Sequence, residues 1–136
     1  MIAVVRRVGF YSELDPAKPD LYQGSIRDAM GAEPYSDESE LIGYLERGIE
    51  LLDIMEACQD VISQDQYIEG CSSVLSDGSW IWRLDLPYYL KRYHLRLDPE
   101  FVEHVRAGKY EVPVLPQDEL VSLAQEVVFN VLGMRH

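Results

Sequence analysis

The stretch from Ser72 to Trp82, S-S-V-L-S-D-G-S-W-I-W, decides the fold of this chain. Its centre, Ser76-Asp77-Gly78, is a turn signal, because an Asp-Gly pair tolerates the positive φ that a tight hairpin turn requires. Apolar residues flank the turn on both sides, so the stretch predicts a β-hairpin. Trp80 and Trp82 point to the same side of the second strand, since strand side chains alternate.

Three helices are predicted after the hairpin. Asp85 and Asp98 each precede a proline by one or two residues, which is typical of a capped helix start with proline in the first turn. Apolar residues then recur at helical spacing in both segments. Residues Gln117 to Leu132 predict the last helix, with its apolar residues on one side and Gly133 at its end.

The first half of the chain carries weaker signals. Met1 to Tyr11 is apolar and β-branched and predicts a strand, whereas Ser25 to Met30 predicts one or two helical turns. Ser36 to Arg47 predicts a helix in which Asp37 is the N-cap. Glu40, three residues later, completes a capping box.

The segment that follows this helix predicts a strand. Gly48 is the expected left-handed residue that ends the helix, and Ile49 to Met55 then predicts a strand. Residues Glu56 to Gly70 are polar and predict irregular structure. Together these elements predict one α+β domain over residues 1–136, with a small, mostly antiparallel sheet covered by about four helices.

Net charge is the most unusual feature of the composition. The chain has 136 residues, with 24 acidic and 12 basic side chains and a net charge of −12. Such a charge opposes general binding to nucleic acid or to anionic membranes, which both require a cationic face. No apolar run reaches the roughly 18 residues of a membrane span, and the N-terminal residues lack the order of a signal peptide. We therefore expect a cytoplasmic protein.

Most of the negative charge lies in the middle third of the chain. Between Glu33 and Glu69, eleven carboxylates are opposed only by Arg47. Between Arg83 and Lys109, six bases outnumber four acids. Such a dipole would steer a cationic partner into one orientation. The alternative is that the acids have countercharges elsewhere in the fold and only confer solubility.

Catalytic and metal-binding motifs are missing from the sequence. Cys58 and Cys71 are too few for a disulfide scaffold, and a cytosolic chain would keep them as thiols. No C-x-x-C or H-x-x-x-H pair is present to place two metal ligands on one turn, so neither His94 nor His104 is predicted to bind a metal. Phosphate-binding loops and nucleophile elbows are also missing, so we predict no cofactor and no catalytic residue.

Aromatic side chains cluster between Trp80 and His94. Such residues are ordinary core components of a small domain, and they are also enriched at interface hot spots. Trp80 is therefore a candidate anchor for a partner.

The segment from Asp77 to Arg106 resembles a poorly characterised group of small bacterial proteins. The shared features are Asp77-Gly78, Trp80-Ile81-Trp82, Tyr88-Tyr89 with Tyr93-His94, and Phe101 followed by His104. The resemblance covers roughly residues 38–112 and implies no catalytic residues. Proteins of this group are similar in size and acidity to the immunity proteins of bacterial toxin systems, which implies a binding function.

The sequence thus predicts an immunity protein that occludes the cationic cleft of a cognate toxin. The residues expected to contact this basic partner are Asp37, Glu38, Glu40, Glu46, Asp53, Glu56, Asp60, Asp65 and Trp80. Two alternatives stay open. The chain could be an enzyme or small-ligand protein in which His94 or His104 meets a carboxylate inside a concave site. It could also be a regulatory or adaptor subunit whose acidic helix, Ser36 to Arg47, docks on a basic partner that is harmless alone.

Overall fold

The computed structural model describes residues 5–133. Its strands are β1 (Arg6–Arg7), β2 (Ile49–Leu52), β3 (Ala57–Gln59), β4 (Tyr67–Glu69), β5 (Val74–Ser76) and β6 (Trp80–Arg83). Its α-helices are α1 (Ile26–Ala29), α2 (Glu38–Glu46), α3 (Leu86–Tyr93), α4 (Pro99–Ala107) and α5 (Gln117–Gln125). A 3-10 turn spans Ser12–Leu14, and a π-helical segment, Glu126–Val131, continues α5.

The predicted hairpin is the centre of a four-stranded sheet. Strands β5 and β6 pair antiparallel with Leu75 opposite Trp82, and Gly78 adopts a φ of +99° in the turn. Strand β2 adds antiparallel to β5, and β1 adds parallel to β6, which gives the order β1-β6-β5-β2. The α+β class and the mostly antiparallel sheet are confirmed.

Both tryptophans of β6 face the same core, as predicted. The rings of Trp80 and Trp82 pack edge-on against Phe101 of α4, with centroid distances of 5.3 and 5.6 Å. Tyr44 of α2 packs beside Trp82. The indole N–H of Trp82 donates to the carbonyl of Leu45, so α2 and α4 are both fixed on one face of the sheet.

Two of the predicted helix caps are wrong. The Asp37 side chain makes no cap hydrogen bond, because Arg106 and Tyr110 bind its carboxylate instead. The Asp85 side chain does not cap α3, because it is paired with Arg83. Asp98 does cap α4, accepting a hydrogen bond from the backbone N–H of Glu100.

The remaining boundaries differ from the predictions locally. Gly48 is not left-handed; it is a close-packing position, where an added Cβ would lie 2.6 Å from the Trp82 ring. The predicted N-terminal strand is limited to β1, and its residues Met1 to Val4 lie outside the described part. The segment 56–70 is not irregular, because it contains the antiparallel ribbon β3–β4. Among residues 5–133 no helix is long and apolar enough to cross a membrane.

Candidate functional site

The predicted acidic residues fall into two groups that differ in exposure and partners. Four of the eight carboxylates bind basic side chains contributed by other elements of the fold. These four are Asp37, Glu38, Asp60 and Asp65. The other four are Glu40, Glu46, Asp53 and Glu56, which are exposed and form no ion pair within residues 5–133. Only the second group can present charge to a partner without breaking an internal ion pair.

Asp37 and Asp65 are neutralised by arginines from α4 and α3. The Arg106 guanidinium donates to both carboxylate oxygens of Asp37 at 2.8 and 2.9 Å. These hydrogen bonds, together with the one from the Tyr110 hydroxyl, lower the pKa of Asp37 to about 2. Arg92 forms the same kind of pair with Asp65, at 2.8 and 2.7 Å, and lowers the pKa of Asp65 to about 2.

Asp60 is fully buried although it is charged. One carboxylate oxygen accepts hydrogen bonds from the backbone N–H groups of Ile62 and Ser63. The other accepts from the hydroxyls of Tyr88 and Tyr93 at 2.7 and 2.6 Å. These bonds keep the pKa of Asp60 below its usual value despite burial. Asp60 therefore fixes the loop 60–66 on α3 and is not available to a partner.

Glu38 and Trp80 are also engaged inside the protein. The Glu38 carboxylate lies 2.9 Å from Nδ1 of His94 and so joins the start of α2 to the end of α3. Trp80 is only 3% exposed. The Arg6 guanidinium covers its ring at 4.2 Å from the ring centroid. The structure thus places Trp80 in the core, so Trp80 is not accessible as an anchor for a partner.

Asp53 and Glu56 converge with a third carboxylate, Glu69, around one surface concavity. We call this the acidic concavity; it is lined by Asp53, Ile54, Met55, Glu56, Ala57, Glu69 and Gly70. Its lining contains three carboxylates and no basic residue. Glu40 and Glu46 lie on α2 and do not line it.

Two exposed apolar side chains accompany these carboxylates. Met55, in the lining, is 95% exposed. Tyr67 is 69% exposed and stands two residues before Glu69 on β4. Because strand side chains alternate, Tyr67 and Glu69 share the outward face of the ribbon, while Ile68 points inward. Large apolar groups beside uncompensated charge are typical of a protein-binding surface.

The local sequence explains the shape of the concavity. After β2, Ser73 holds the chain by accepting from the N–H of Ile54 at 2.8 Å. Gly70 closes the ribbon: its N–H donates to the carbonyl of Glu56 at 2.7 Å, and its φ is +68°. These two hydrogen bonds hold the segment 54–56 beside residues 70–73.

A disulfide lies behind the acidic concavity. Cys58 of β3 and Cys71 are bonded to each other, so the expectation of two free thiols is wrong in this structure. Cys71 is buried, and Cys58 is partly exposed. The Glu56 carboxylate lies 3.7 Å from Sγ of Cys58 and 3.8 Å from Sγ of Cys71. These three residues are the one group in the described part with metal-type ligand atoms close together, but bonded sulfurs are not thiolate ligands.

Each described histidine does meet a carboxylate. Besides the pair of His94 with Glu38, Nε2 of His104 lies 2.8 Å from Oδ2 of Asp77. The same oxygen accepts the hydroxyl of Tyr44, and the other oxygen accepts the backbone N–H groups of Ser79 and Trp80. Asp77 therefore stabilises the hairpin turn as well as orienting the imidazole. His104 lines a shallow surface depression with Glu100 and Glu103.

Comparisons with models of known protein families, with curated proteins and with solved structures found no match to this chain. The resemblance of residues 77–106 to a group of bacterial proteins therefore stays an expectation.

Sequence reasoning missed Met55, Tyr67 and Glu69 as members of the candidate site. One signal was present: Tyr67-Ile68-Glu69 alternates between polar and apolar residues, as a half-buried strand does. Three residues are too short a run to distinguish such a strand from a loop.

Proposed function

We propose that this protein is a cytoplasmic immunity protein that binds a basic surface of a cognate bacterial toxin through the acidic concavity. The observation that carries the proposal is the meeting of Asp53, Glu56 and Glu69 in one lining that contains no basic residue. Net charge alone would be equally consistent with solubility, whereas this local imbalance favours a cationic ligand.

The exposed apolar side chains and the carboxylates would have different roles in binding, the first in affinity and the second in the association rate. Met55 and Tyr67 can be buried by a partner, and such anchors contribute most of the binding free energy in an interface. The three carboxylates would act mainly on the association rate, because charges at an interface rim steer diffusional encounter. Toxins that act on nucleic acid or nucleotides carry cationic clefts, and an acidic surface could cover such a cleft.

This surface is smaller than the one proposed from the sequence. Asp37, Glu38, Asp60 and Asp65 are committed to internal contacts, so they contribute little free charge. Glu40 and Glu46 are exposed on α2 and could add to the long-range field without touching the partner.

The proposal is tested with the product of the adjacent gene, co-expressed with this chain. We expect the two to co-purify and growth to be rescued if that product is toxic alone. The triple variant Asp53→Asn, Glu56→Gln, Glu69→Gln should lower the association rate about tenfold or more at low salt. The matched control, Glu40→Gln, Glu103→Gln, Asp118→Asn, removes the same charge outside the concavity and should change the rate much less.

Three outcomes would count against the proposal. Absence of a complex together with absence of rescue would reject the immunity function. Equal rate losses in the two triple variants would reject the acidic concavity as the contact site. A complex with a partner that is harmless alone would favour the adaptor alternative.

Acid–base catalysis at His104 is a second candidate, favoured by its 2.8 Å contact with the buried Asp77. A histidine oriented by a carboxylate is the geometry of a general base. We would measure hydrolysis of p-nitrophenyl acetate and p-nitrophenyl phosphate by the isolated chain. Turnover that disappears in His104→Asn and persists in His94→Asn would support catalysis, and no turnover by the wild type would reject it for these substrate classes.

A further inference from the structure

The disulfide between Cys58 and Cys71 lies next to two charged side chains, the carboxylate of Glu56 and the guanidinium of Arg83. The Glu56 carboxylate contacts both sulfurs, at 3.7 and 3.8 Å, and is held there by the hydroxyl of Ser72. Nη2 of Arg83 lies 4.0 Å from Sγ of Cys58. A disulfide with a purely structural role needs neither a carboxylate nor a guanidinium at its sulfurs.

The two sulfurs differ in access to solvent. Cys71 is completely buried, whereas Cys58 is partly exposed on the ribbon β3–β4. A small thiol from solvent can therefore reach Cys58 more easily than Cys71. In thiol–disulfide exchange, access decides which sulfur is attacked.

Arg83 is fixed in a position that favours a Cys58 thiolate. It is buried and held by Asp85 at 2.9 Å and by the hydroxyl of Tyr22 at 3.3 Å, so it cannot turn away from the sulfur. A positive group next to a cysteine stabilises its thiolate form. Arg83 therefore favours the release of Cys58 as a thiolate in the second step, when the mixed disulfide is reduced.

We propose that the Cys58–Cys71 pair is a thiol–disulfide exchange site for a small thiol of the glutathione class, with Cys58 as the attacked sulfur and Glu56 as the proton acceptor of Cys71. This function does not depend on the proposed toxin binding. It assigns a chemical role to the Glu56 carboxylate, which contacts both sulfurs.

The exchange balances in two steps. A small thiolate attacks Sγ of Cys58 and forms a mixed disulfide with it. The Cys58–Cys71 bond breaks, and the electron pair stays on Cys71, which takes up a proton that Glu56 delivers from water. A second small thiolate attacks the small molecule's sulfur, releasing the Cys58 thiolate and an oxidised small disulfide. In the closing direction, Cys71 gives its proton to Glu56 and attacks Cys58 in the mixed disulfide, expelling the small thiolate.

The test uses the isolated full-length chain in buffers of reduced and oxidised glutathione. Samples are quenched with acid, alkylated and analysed by mass spectrometry, which separates the disulfide, mixed-disulfide and dithiol forms. We expect reversible reduction in these buffers and glutathione attached to Cys58. Glu56→Gln, which can still accept the Ser72 hydrogen bond, should slow closure of the mixed disulfide about tenfold or more. Glu69→Gln, a carboxylate of the same concavity without a sulfur contact, should leave the rate unchanged.

Each alternative result would overturn the proposal. A disulfide that stays intact in reduced glutathione is structural. Glutathione attached to Cys71 would reject the assignment of Cys58 as the attacked sulfur. Closure at the wild-type rate in Glu56→Gln would reject Glu56 as the proton acceptor. Because no partner protein is present, none of these results bears on toxin binding.

Discussion

Asp60 is stable in a buried position because each of its carboxylate oxygens accepts at least two hydrogen bonds. Burial of an unpaired carboxylate would be costly, and here the backbone of loop 60–66 and the hydroxyls of Tyr88 and Tyr93 offset that cost. Arg92, at 3.3 Å, adds a compensating charge. The residue therefore joins the polar loop 60–66 to helix α3.

Replacing Asp60 should destabilise the whole protein. Asp60→Ala leaves two partly buried tyrosine hydroxyls and two backbone N–H groups without their acceptor, so we expect the free energy of unfolding to fall by about 3 kcal/mol. Urea denaturation measures the change. Asp65→Ala removes a neighbouring, exposed carboxylate and should have a much smaller effect. Equal losses in the two variants would show that the buried hydrogen bonds are not the source of the stability.

At the scale of elements, the connection between α2 and β2 depends on a glycine that permits close packing. Gly48 lies against the Trp82 ring, and a Cβ at this position would also come within 3.0 Å of Cβ of Leu75. The backbone of Leu45 accepts the Trp82 indole N–H, which prevents the ring from moving away. The helix can follow the sheet this closely only because residue 48 has no side chain.

Gly48→Ala should therefore destabilise the protein without any change in turn geometry. We expect a loss of about 1–3 kcal/mol, the usual cost of forcing an extra carbon into a packed core. The matched control is Gly108→Ala, whose Cβ would make only ordinary contacts of 3.5 Å or more. Thermal unfolding of both variants measures the difference, and a Gly48→Ala protein as stable as the control would contradict the packing explanation.

At the scale of the molecule, ion pairs between distant segments connect the acidic middle of the chain to the basic segment that follows. Asp37 joins the start of α2 to Arg106 of α4, and Asp65 joins the loop before β4 to Arg92 of α3. These pairs account for part of the charge separation seen in the sequence. The carboxylates around the acidic concavity remain outside this pairing.

These pairs predict how stability depends on pH. Asp37 has a pKa of about 2 in the folded protein against an ordinary value of 3.8, because it is bound by Arg106 and Tyr110. Since the unfolded chain binds protons more readily, this contribution to stability is complete above about pH 4 and is lost as the pH falls towards 2. Urea denaturation at several pH values should show this loss. It should be smaller in Asp37→Asn, and an identical pH profile in that variant would contradict the assignment.

Local signals account for the parts of the fold that could be predicted. The Asp77-Gly78 turn, the proline after Asp98 and the helical spacing in α3 and α4 each act within a few residues, so they can be read without knowing the rest of the fold. The ribbon β3–β4 could not be predicted, because three-residue strands carry too little periodicity. The caps assigned to Asp37 and Asp85 were wrong because arginines compete for the same carboxylates.

The sequence by itself determined the α+β class, the central hairpin and the excess of negative charge, since turn chemistry, periodicity and composition are local properties. Only the tertiary structure decided which carboxylates are free, because their countercharges lie far along the chain: Arg106 is 69 residues from Asp37, and Arg92 is 27 residues from Asp65. The same holds for the cysteines, which are 13 residues apart and become a disulfide because the ribbon folds back on the start of β5. Contacts between distant segments depend on the packing of the whole chain, and no short window of sequence contains them.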